Sequence, residues 1–271
     1  MKYAPPSIST IVGSILLTII AMLAITVPWI APYGPNDIAG EVWQPMSSTH
    51  WLGTDSLGRD LFSRLAYGTR LTLLFTLIIS ILSTLSGALL SFLAVSIGGW
   101  FETIISRLND LFMSLPSLII ALVALAVLPH NNASLIIVLV VVLATRVYRL
   151  GYSLATHIAA TDYMEAARLA GESHWFRVTR EMLPNAQLPL LAEWGVQFGN
   201  SILFISTLSF LGLGIQPPDA DWGSLVRENK DGILFGISAA FYPAIAIALL
   251  VIAVNLLVDA LSNHLQQREV Q

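Results

Sequence analysis

Six long runs of apolar residues, separated by polar segments, dominate the sequence. Each run is long enough for a membrane-spanning helix, which needs about 20 mostly apolar residues. Helix-breaking residues mark several ends, such as Gly98-Gly99 after the second run and Pro129 after the third. The predicted spans cover about residues 10–30, 71–97, 104–128, 134–155, 188–213 and 238–261. The pattern therefore predicts an all-α integral membrane protein with six transmembrane helices in a single domain over residues 1–271.

The composition supports a membrane protein and excludes several kinds of function. Of the 271 residues, 55% are hydrophobic and only 11% are charged, and the mean hydropathy is +0.74. A net charge of −4 argues against nucleic acid as a partner. The absence of cysteine excludes disulfides, thiolate nucleophiles and iron–sulfur ligation. Neither Lys2 nor Lys230 follows a glycine-rich phosphate loop. We therefore assign no catalytic residue, metal or bound cofactor to this chain.

The distribution of basic residues predicts the orientation of the chain in the membrane. Lysine and arginine concentrate in the cytoplasmic segments of membrane proteins. With the N-terminus inside, eight basic residues fall in cytoplasmic segments and five in external ones, so we predict that both termini are cytoplasmic. The segments at about 31–70 and 214–237 are then external, and that at about 156–187 is cytoplasmic. The first run is longer than the apolar core of a cleaved signal peptide, which predicts a retained signal-anchor helix.

The segment at about 161–185 is predicted to form two short helices outside the membrane. Asp162 with Glu165 three residues later is typical of a capping box, with Asp162 as the N-cap. Gly171 is placed to end this helix in a left-handed conformation. Ser173 is placed to cap a second helix, which Pro184 is expected to end. The predicted structure is a compact helix–turn–helix.

The second of these helices has two distinct predicted faces. Trp175, Val178 and Met182 share one face, and Arg177 and Arg180 share another. Tryptophan and arginine are favoured at binding hot spots, so one interpretation is an anchor for a partner protein. The alternative is a helix on the membrane surface with tryptophan and arginine among the lipid headgroups. The residue pattern leaves both interpretations open.

The segment before the second span contains closely spaced charged residues and glycines. Gly53 and Gly58 are suited to tight turns, and Asp55, Arg59 and Asp60 are placed to form charge-assisted hydrogen bonds. A metal or acid–base site built on His50 and Asp55 is disfavoured, since two ligands without others do not make such a site. The sequence therefore favours a structured loop.

The fifth span carries polar residues and a pair of glycines. Glu193 is costly in lipid and is expected to face the bundle interior or another subunit. Gly195 and Gly199 form a GxxxG motif, which permits close helix approach. With Gln197 and Asn200 nearby, this span is interpreted as facing the other half of a two-fold pore, and a packing role within the chain is the open alternative.

Two arginines lie one turn apart near the inner end of the fourth span. Arg146 and Arg149 are interpreted as snorkelling toward the cytoplasmic interface. A gate or a contact to a partner subunit is the alternative.

Two of these regions resemble a known family. Glu165-Ala166-Ala167, followed by Gly171 and Leu183-Pro184, resembles the EAA loop of bacterial ABC-importer permeases, and we assign Arg168 and Trp175 to the same loop. The run HWLGTDSLGRDLFSR, which begins at His50 and includes Thr54, resembles the second permease subunit of peptide and nickel importers, the DppC/OppC/NikC-like group. The run TLSFLGLG from Thr207 resembles the same group, whereas Val258 stands where the family usually has glycine.

The resemblance implies a fold, a function and a set of partners. It implies the type I ABC-importer permease fold in the bacterial inner membrane, with residues 161–185 docking onto an ATPase. The implied partners are a second homologous permease, two ATPase subunits that bind ATP and magnesium, and an extracytoplasmic substrate-binding protein. The implied cargo is a di- or oligopeptide, with nickel or a metal chelate as the alternative.

Two other classes of function are less favoured by the residues. A secondary transporter acting alone needs inverted repeats or ionisable residues at the bilayer midplane, and the sequence shows neither. A membrane enzyme would need a nucleophile elbow or a metal-binding HExxH motif, and neither occurs.

Overall fold

A computed structural model of the chain describes residues 8–269, with side chains described up to residue 260. Lys2, one of the basic residues that predict the orientation, lies outside the described residues. The described part is helical, with α1 (Ile8–Ile30), α2 (Leu61–Ile97), α3 (Gly99–Ser114), α4 (Ser117–Val127), α5 (Asn132–Ala159), α6 (Asp162–Leu169), α7 (His174–Phe176), α8 (Leu183–Leu211), α9 (Trp222–Asn229) and α10 (Phe241–Glu269). A π-helical turn (Arg177–Met182) joins α7 to α8, and a 3₁₀ helix (Lys230–Phe235) follows α9.

Several of these helices have the length and hydropathy to cross a membrane. Within residues 8–269, four qualify individually: α1, α2, α5 and α10 as far as Ala260. The α3–α4 pair, which is bent by 93° at its break, adds a fifth if the two helices are one broken span. α8 has 29 residues, but polar side chains such as Gln197 and Asn200 lower its hydropathy. The structure thus has four or five membrane-capable helices, and the predicted count of six is not confirmed.

Two of the predicted spans differ from the helices in the structure. α2 begins at Leu61, ten residues before the predicted start at 71, because Asp60 caps it by accepting from the Ser63 backbone N–H. The third run is two helices instead of one. It breaks at Leu115-Pro116, where Leu115 is extended, because the ring of a proline disfavours helical backbone in the preceding residue.

The core lies between α2, α5 and α8, where α2 packs most extensively against α5 and next against α8, and α1 packs on α10. The close approach of α2 and α5 depends on a glycine in α2, which has no side chain. A Cβ at Gly87 would lie 2.7 Å from both the Ala144 carbonyl oxygen and the Val147 Cβ. The long helices α2 and α5 therefore form one rigid pair, and the loops at their two ends are positioned by it.

Candidate functional site

The helix α6 forms the first half of the loop that resembles the EAA motif. Thr161 is its N-cap, but the Thr161 hydroxyl donates backwards to the Ile158 carbonyl oxygen and makes no capping bond. Asp162 is the first helical residue, so its prediction as the N-cap was wrong. Asp162 and Glu165 both lie in the first turn, where a negative charge is favourable beside the helix dipole.

Gly171 ends α6 in a left-handed turn, as predicted. Its φ is +79°. The Gly171 N–H donates to the Arg168 carbonyl oxygen at 3.1 Å, and the Glu172 N–H donates to that of Ala167 at 3.2 Å. This pair of bonds is a Schellman motif, which satisfies the free carbonyl groups of a helix end. A Cβ at Gly171 would meet nothing within 4 Å, so the turn needs glycine for its backbone conformation and not for space.

The second half of the loop begins as predicted but does not end as predicted. Ser173 caps α7 by accepting from the Phe176 backbone N–H at 3.2 Å. Pro184 was expected to end this helix, but the helical backbone continues through it into α8. Proline lacks an N–H and its ring obstructs the carbonyl of the preceding turn. The hydrogen-bond ladder widens just before it, where the Leu183 N–H donates to the Val178 carbonyl oxygen, five residues back.

The side chains after α7 divide between buried and exposed faces. Val178 and Met182 are completely buried, in one apolar cluster with Met164 of α6 and Phe92 of α2. Trp175 is 59% exposed. The prediction that Trp175 shares a face with Val178 and Met182 was therefore wrong, since the short helix and the π-turn rotate the later residues inward.

The two arginines of this segment also separate. Arg177 is buried and donates to the Ser96 carbonyl oxygen, near the C-terminus of α2, at 3.2 Å. His174 Nδ1 lies 2.7 Å from the same oxygen. Arg180 is exposed, so the predicted shared face of Arg177 and Arg180 was wrong. Ser96 thus ties the loop to the end of α2.

The outer surface of the loop is open and partly apolar. Exposed side chains include Glu165, Ala166, Arg168, Trp175 and Pro184, whereas Ala167 and Leu183 are half-buried. Leu169 is 83% exposed, and the sequence analysis missed it although it lies four residues after Glu165 on the same helix face. A loop that buries one face against α2 and exposes aliphatic and aromatic side chains on the other is suited to contact a partner.

At the opposite end of the bundle, Asp55 is the centre of a buried ion network. Its carboxylate accepts from Arg59 Nε at 2.8 Å and from Arg64 Nη1 at 2.6 Å. Both arginines also bond to Glu228 of α9, Arg59 at 2.6 Å and Arg64 at 2.5 Å. Asp55 is fully buried and Arg64 is 2% exposed. The predicted pairing of Asp55 with Arg59 is confirmed, whereas sequence reasoning missed Arg64 and Glu228.

Asp60 does not join that network. It caps α2 and accepts from His50 Nδ1 at 2.9 Å, so His50 pairs with Asp60 and not with Asp55. Gly53 and Gly58 have φ values of +78° and +75°, which confirms the predicted tight turns. Thr54 fixes the start of the loop, since its hydroxyl accepts from the Gln44 N–H at 2.7 Å.

Asp221 caps the N-terminus of α9, which lies at the same end of the bundle. Asp221 is buried and accepts from the backbone N–H groups of Gly223 and Ser224, in a capping box with Ser224. Burial raises the pKa of the Asp221 carboxyl above its usual value of 3.8, against the lowering effect of these hydrogen bonds. Ser56 also bonds to Asn229. The segments at 31–60 and 214–240 therefore lie together at one end, and α6 and α7 lie at the other.

Two polar residues of α8 contact each other, and the glycines of this helix lie against α10. Gln197 Nε2 donates to the Glu193 carboxylate at 2.7 Å and is buried, whereas Glu193 and Asn200 are half-buried. A Cβ at Gly195 would lie 2.5 Å from Val258 Cγ2, and one at Gly199 would contact Asn255 at 3.7 Å. The GxxxG pair thus serves packing within the chain, and the valine in place of the usual glycine fits against Gly195.

Comparisons with known proteins agree with this architecture. The family described as "Binding-protein-dependent transport system inner membrane component" matches residues 87–271. The dipeptide transport system permease protein DppC of Escherichia coli is 35% identical over 268 residues, 95% of this chain and 88% of the relative. The di/tripeptide transport system permease protein DppC of Pseudomonas aeruginosa is 33% identical, over 94% of this chain and 87% of the relative. The glutathione transport system permease protein GsiD of Pectobacterium atrosepticum is 33% identical, with 82% and 74% covered.

Proposed function

Because this chain belongs to the family of inner-membrane components of binding-protein-dependent transport systems, we propose that it forms half of the passage of an ATP-driven peptide importer. The other half is a second, homologous permease. Two ATPase subunits on the cytoplasmic side supply the energy, and an extracytoplasmic binding protein delivers the cargo. This chain breaks no bond in the substrate and binds neither ATP nor magnesium.

The observation that carries the coupling role is the architecture of residues 161–185. This segment is braced against α2 by buried Val178 and Met182 and by the bond from Arg177 to Ser96. Its outer surface exposes Leu169 and Trp175. A rigid segment with an apolar outer surface is suited to sit in a groove of the ATPase and to transmit motion into α2 and α8.

The proposed arrangement in the membrane counts six spans. In addition to α1, α2, α5 and α10, it takes the bent α3–α4 pair as one span and α8 as another. Glu193, Gln197 and Asn200 of α8 then lie at the interface with the second permease or along the passage. Both termini and residues 161–185 are cytoplasmic, and the ion-paired loop at 31–60 is external, where the binding protein docks.

The proposed cargo is a di- or oligopeptide. The relatives that span most of this chain are named for dipeptides, di/tripeptides and glutathione. Nickel or a metal chelate remains the alternative cargo of the same machinery.

Uptake by reconstituted vesicles tests the function. The full complex is reconstituted so that the ATPases face the vesicle lumen and the loaded binding protein is outside. These vesicles should accumulate a radiolabelled dipeptide when ATP is enclosed in the lumen. The chain alone should show no ATP hydrolysis and no uptake. Dipeptide uptake by the isolated chain under a proton gradient would contradict the importer proposal, and accumulation of nickel without peptide would select the alternative cargo.

Disulfide trapping tests the coupling loop, because the sequence contains no native cysteine. A cysteine at Ala167 or Ser173 should cross-link to one in the groove of the ATPase, and ATP should change the yield. Leu57 is exposed at the opposite end of the bundle, so a cysteine there serves as the control and should not cross-link. If neither loop position cross-links in a complex that transports normally, the coupling role is wrong.

A further inference from the structure

Three polar side-chain pairs join α3 to α5 along one line. The Tyr152 hydroxyl donates to Glu102 at 2.5 Å, the hydroxyls of Ser106 and Tyr148 lie 2.8 Å apart, and Arg149 donates to Asp110 at 3.0 Å. The partners advance by about one helical turn on α3 from pair to pair. These contacts form a polar strip between two helices, in a chain that exposes many large apolar side chains.

The attachment of α3 to the bundle is unlike that of the other long helices. Asn109 is the one buried residue of α3, and no residue of this helix belongs to the apolar clusters of the described core. The helix starts after Gly98 and Gly99, both at positive φ, and ends at the break before Pro116. α3 is therefore held at its sides by polar bonds and bounded at its ends by two backbone breaks.

A cleft of about 490 Å³ opens along this strip, lined on the α5 side by Tyr148, Arg149, Tyr152, Ser153 and Thr156. The volume lies within the range of roughly 300–1,000 Å³ that is typical of small-molecule sites. Charged and polar side chains are costly against lipid, so those in membrane proteins face the bundle interior or a water-filled cavity. Since α5 is one of the helices apolar enough to span the membrane, this cleft must face water or another polar surface.

The charges in the cleft are of both signs and open to solvent. The Asp110 and Arg149 side chains are 45% and 67% exposed. An ion pair this exposed contributes about 1 kcal/mol or less. A competing charged group can therefore readily replace either partner. The pair offers a carboxylate acceptor, Asp110, beside a bidentate donor, Arg149.

We propose that this cleft is where the cargo contacts this chain during translocation, with Asp110 binding the ammonium group of a short peptide and Arg149 its carboxylate. The inference rests on the proposed peptide import and adds the contact site to it. A zwitterionic peptide presents the two charges that this ion pair exchanges. Tyr148 and Tyr152 supply hydroxyl groups and aromatic surface for the remainder of the peptide.

Thiol labelling tests whether peptide enters the cleft. Ser153 lines it and is exposed, so Ser153→Cys in the assembled importer should react with a charged methanethiosulfonate reagent. During ATP-driven turnover, the dipeptide should slow that reaction. Ile137 is an exposed apolar residue on the same helix, and Ile137→Cys is the matched control that should react slowly and without protection.

Charge variants test the roles of the two side chains. Asp110→Asn and Arg149→Gln should each raise the KM for dipeptide uptake about tenfold, the equivalent of one charge-assisted hydrogen bond, while ATP hydrolysis stimulated by the binding protein continues. The double variant Asp110→Arg with Arg149→Asp restores an ion pair but reverses its orientation. It should not recover uptake, because the positive charge then lies where the ammonium group binds and the negative charge lies where the carboxylate binds.

The outcomes separate the two proposals. If the unaltered importer takes up no dipeptide, the proposed cargo is wrong and the peptide contact falls with it. If it transports dipeptide normally while Ser153→Cys is unreactive or unprotected, or while the charge-swapped variant recovers full uptake, then the cleft is a structural strut and only the inference about contact is overturned.

Discussion

The two ends of the helix bundle are stabilised by different interactions. At the end that carries residues 31–60, buried ion pairs of Asp55, Arg64 and Glu228 hold the loop against α9. At the end that carries α6 and α7, apolar packing of Val178 and Met182 holds the loop against α2. Ion pairs are directional and costly to break when buried, whereas apolar contact is non-directional. The first loop is therefore fixed by directional ion pairs, whereas the second is braced as a rigid segment by apolar packing on α2 and by the bond from Arg177 to Ser96.

The largest effect should come from removing the buried arginine of the ion network. Arg64→Met leaves Glu228 and Asp55 with Arg59 alone, and we expect a loss of about 3 kcal/mol, since breaking a buried ion pair costs about 3–5 kcal/mol. Arg70→Met is the matched control, because Arg70 lies on the same helix but is exposed. Thermal unfolding of the purified protein in detergent measures both. Equal unfolding temperatures for the two variants would show that the network does not stabilise this end.

The next effect concerns the turn of the other loop. Gly171→Val forces a β-branched residue into a left-handed conformation, which costs roughly 1–2 kcal/mol for a residue with a Cβ. We expect the protein to insert into the membrane but the assembled importer to lose dipeptide uptake. Gly171→Asn is the control, since asparagine tolerates this conformation, and it should retain most uptake. Loss of uptake in both variants would mean that the turn is intolerant of any side chain, as a tight partner contact would require.

A smaller and pH-dependent effect is expected at the cap of α9. Asp221→Ala should cost about 1 kcal/mol, as is usual for loss of an N-cap, whereas Asp221→Asn keeps a capping oxygen. Because the pKa of Asp221 is raised in the folded protein, its favourable contribution is present below the unfolded-state value of 3.8 and is lost as pH rises through the folded-state value. The stability of Asp221→Asn relative to the unaltered protein should therefore increase with pH. Unfolding temperatures measured from pH 4 to pH 7 test this sign.

The smallest effect on stability should come from the exposed tryptophan. Trp175→Ala should change the free energy of unfolding by no more than about 0.5 kcal/mol, since surface substitutions rarely do more, but it should weaken association with the ATPase. Trp222 is 1% exposed at the opposite end, so Trp222→Ala is the buried control and should cost several times as much. Co-purification of the ATPase gives the second readout. Unchanged association with Trp175→Ala would leave Leu169 as the apolar contact.

Features that depend on local backbone chemistry were predictable from the sequence. The left-handed turn at Gly171, the cap at Ser173 and the turns at Gly53 and Gly58 follow from which residues accept those conformations. The long helices also coincide largely with the runs of apolar residues. These predictions need no knowledge of what packs against what.

Features that depend on distant partners were not predictable in this way. Arg64 lies inside α2, at a position where the hydropathy pattern predicts no helix. In the fold its charge is compensated by Glu228, 164 residues later, and the sequence pattern does not show that partner. The bond between His50 and Asp60 was not predicted, since the sequence analysis considered His50 only together with Asp55, as a disfavoured site. For the span that carries Gly195, the sequence left open an interface with a second subunit or packing within the chain, and in the fold Val258 of the same chain lies against Gly195. In each case the choice of partner is made by the tertiary fold.

One continuous helix connects the two ends. α2 has 37 residues, and at 1.5 Å per residue it is roughly 55 Å long. Asp60 fixes its first turn, and near its last turn the Ser96 carbonyl is held by Arg177. Because the helix is continuous, it fixes both the distance between its two ends and the rotation of one end relative to the other about the helix axis. Insertion of a single residue in its middle would rotate one end against the other by about 100° and would misalign the side chains at one terminus or the other.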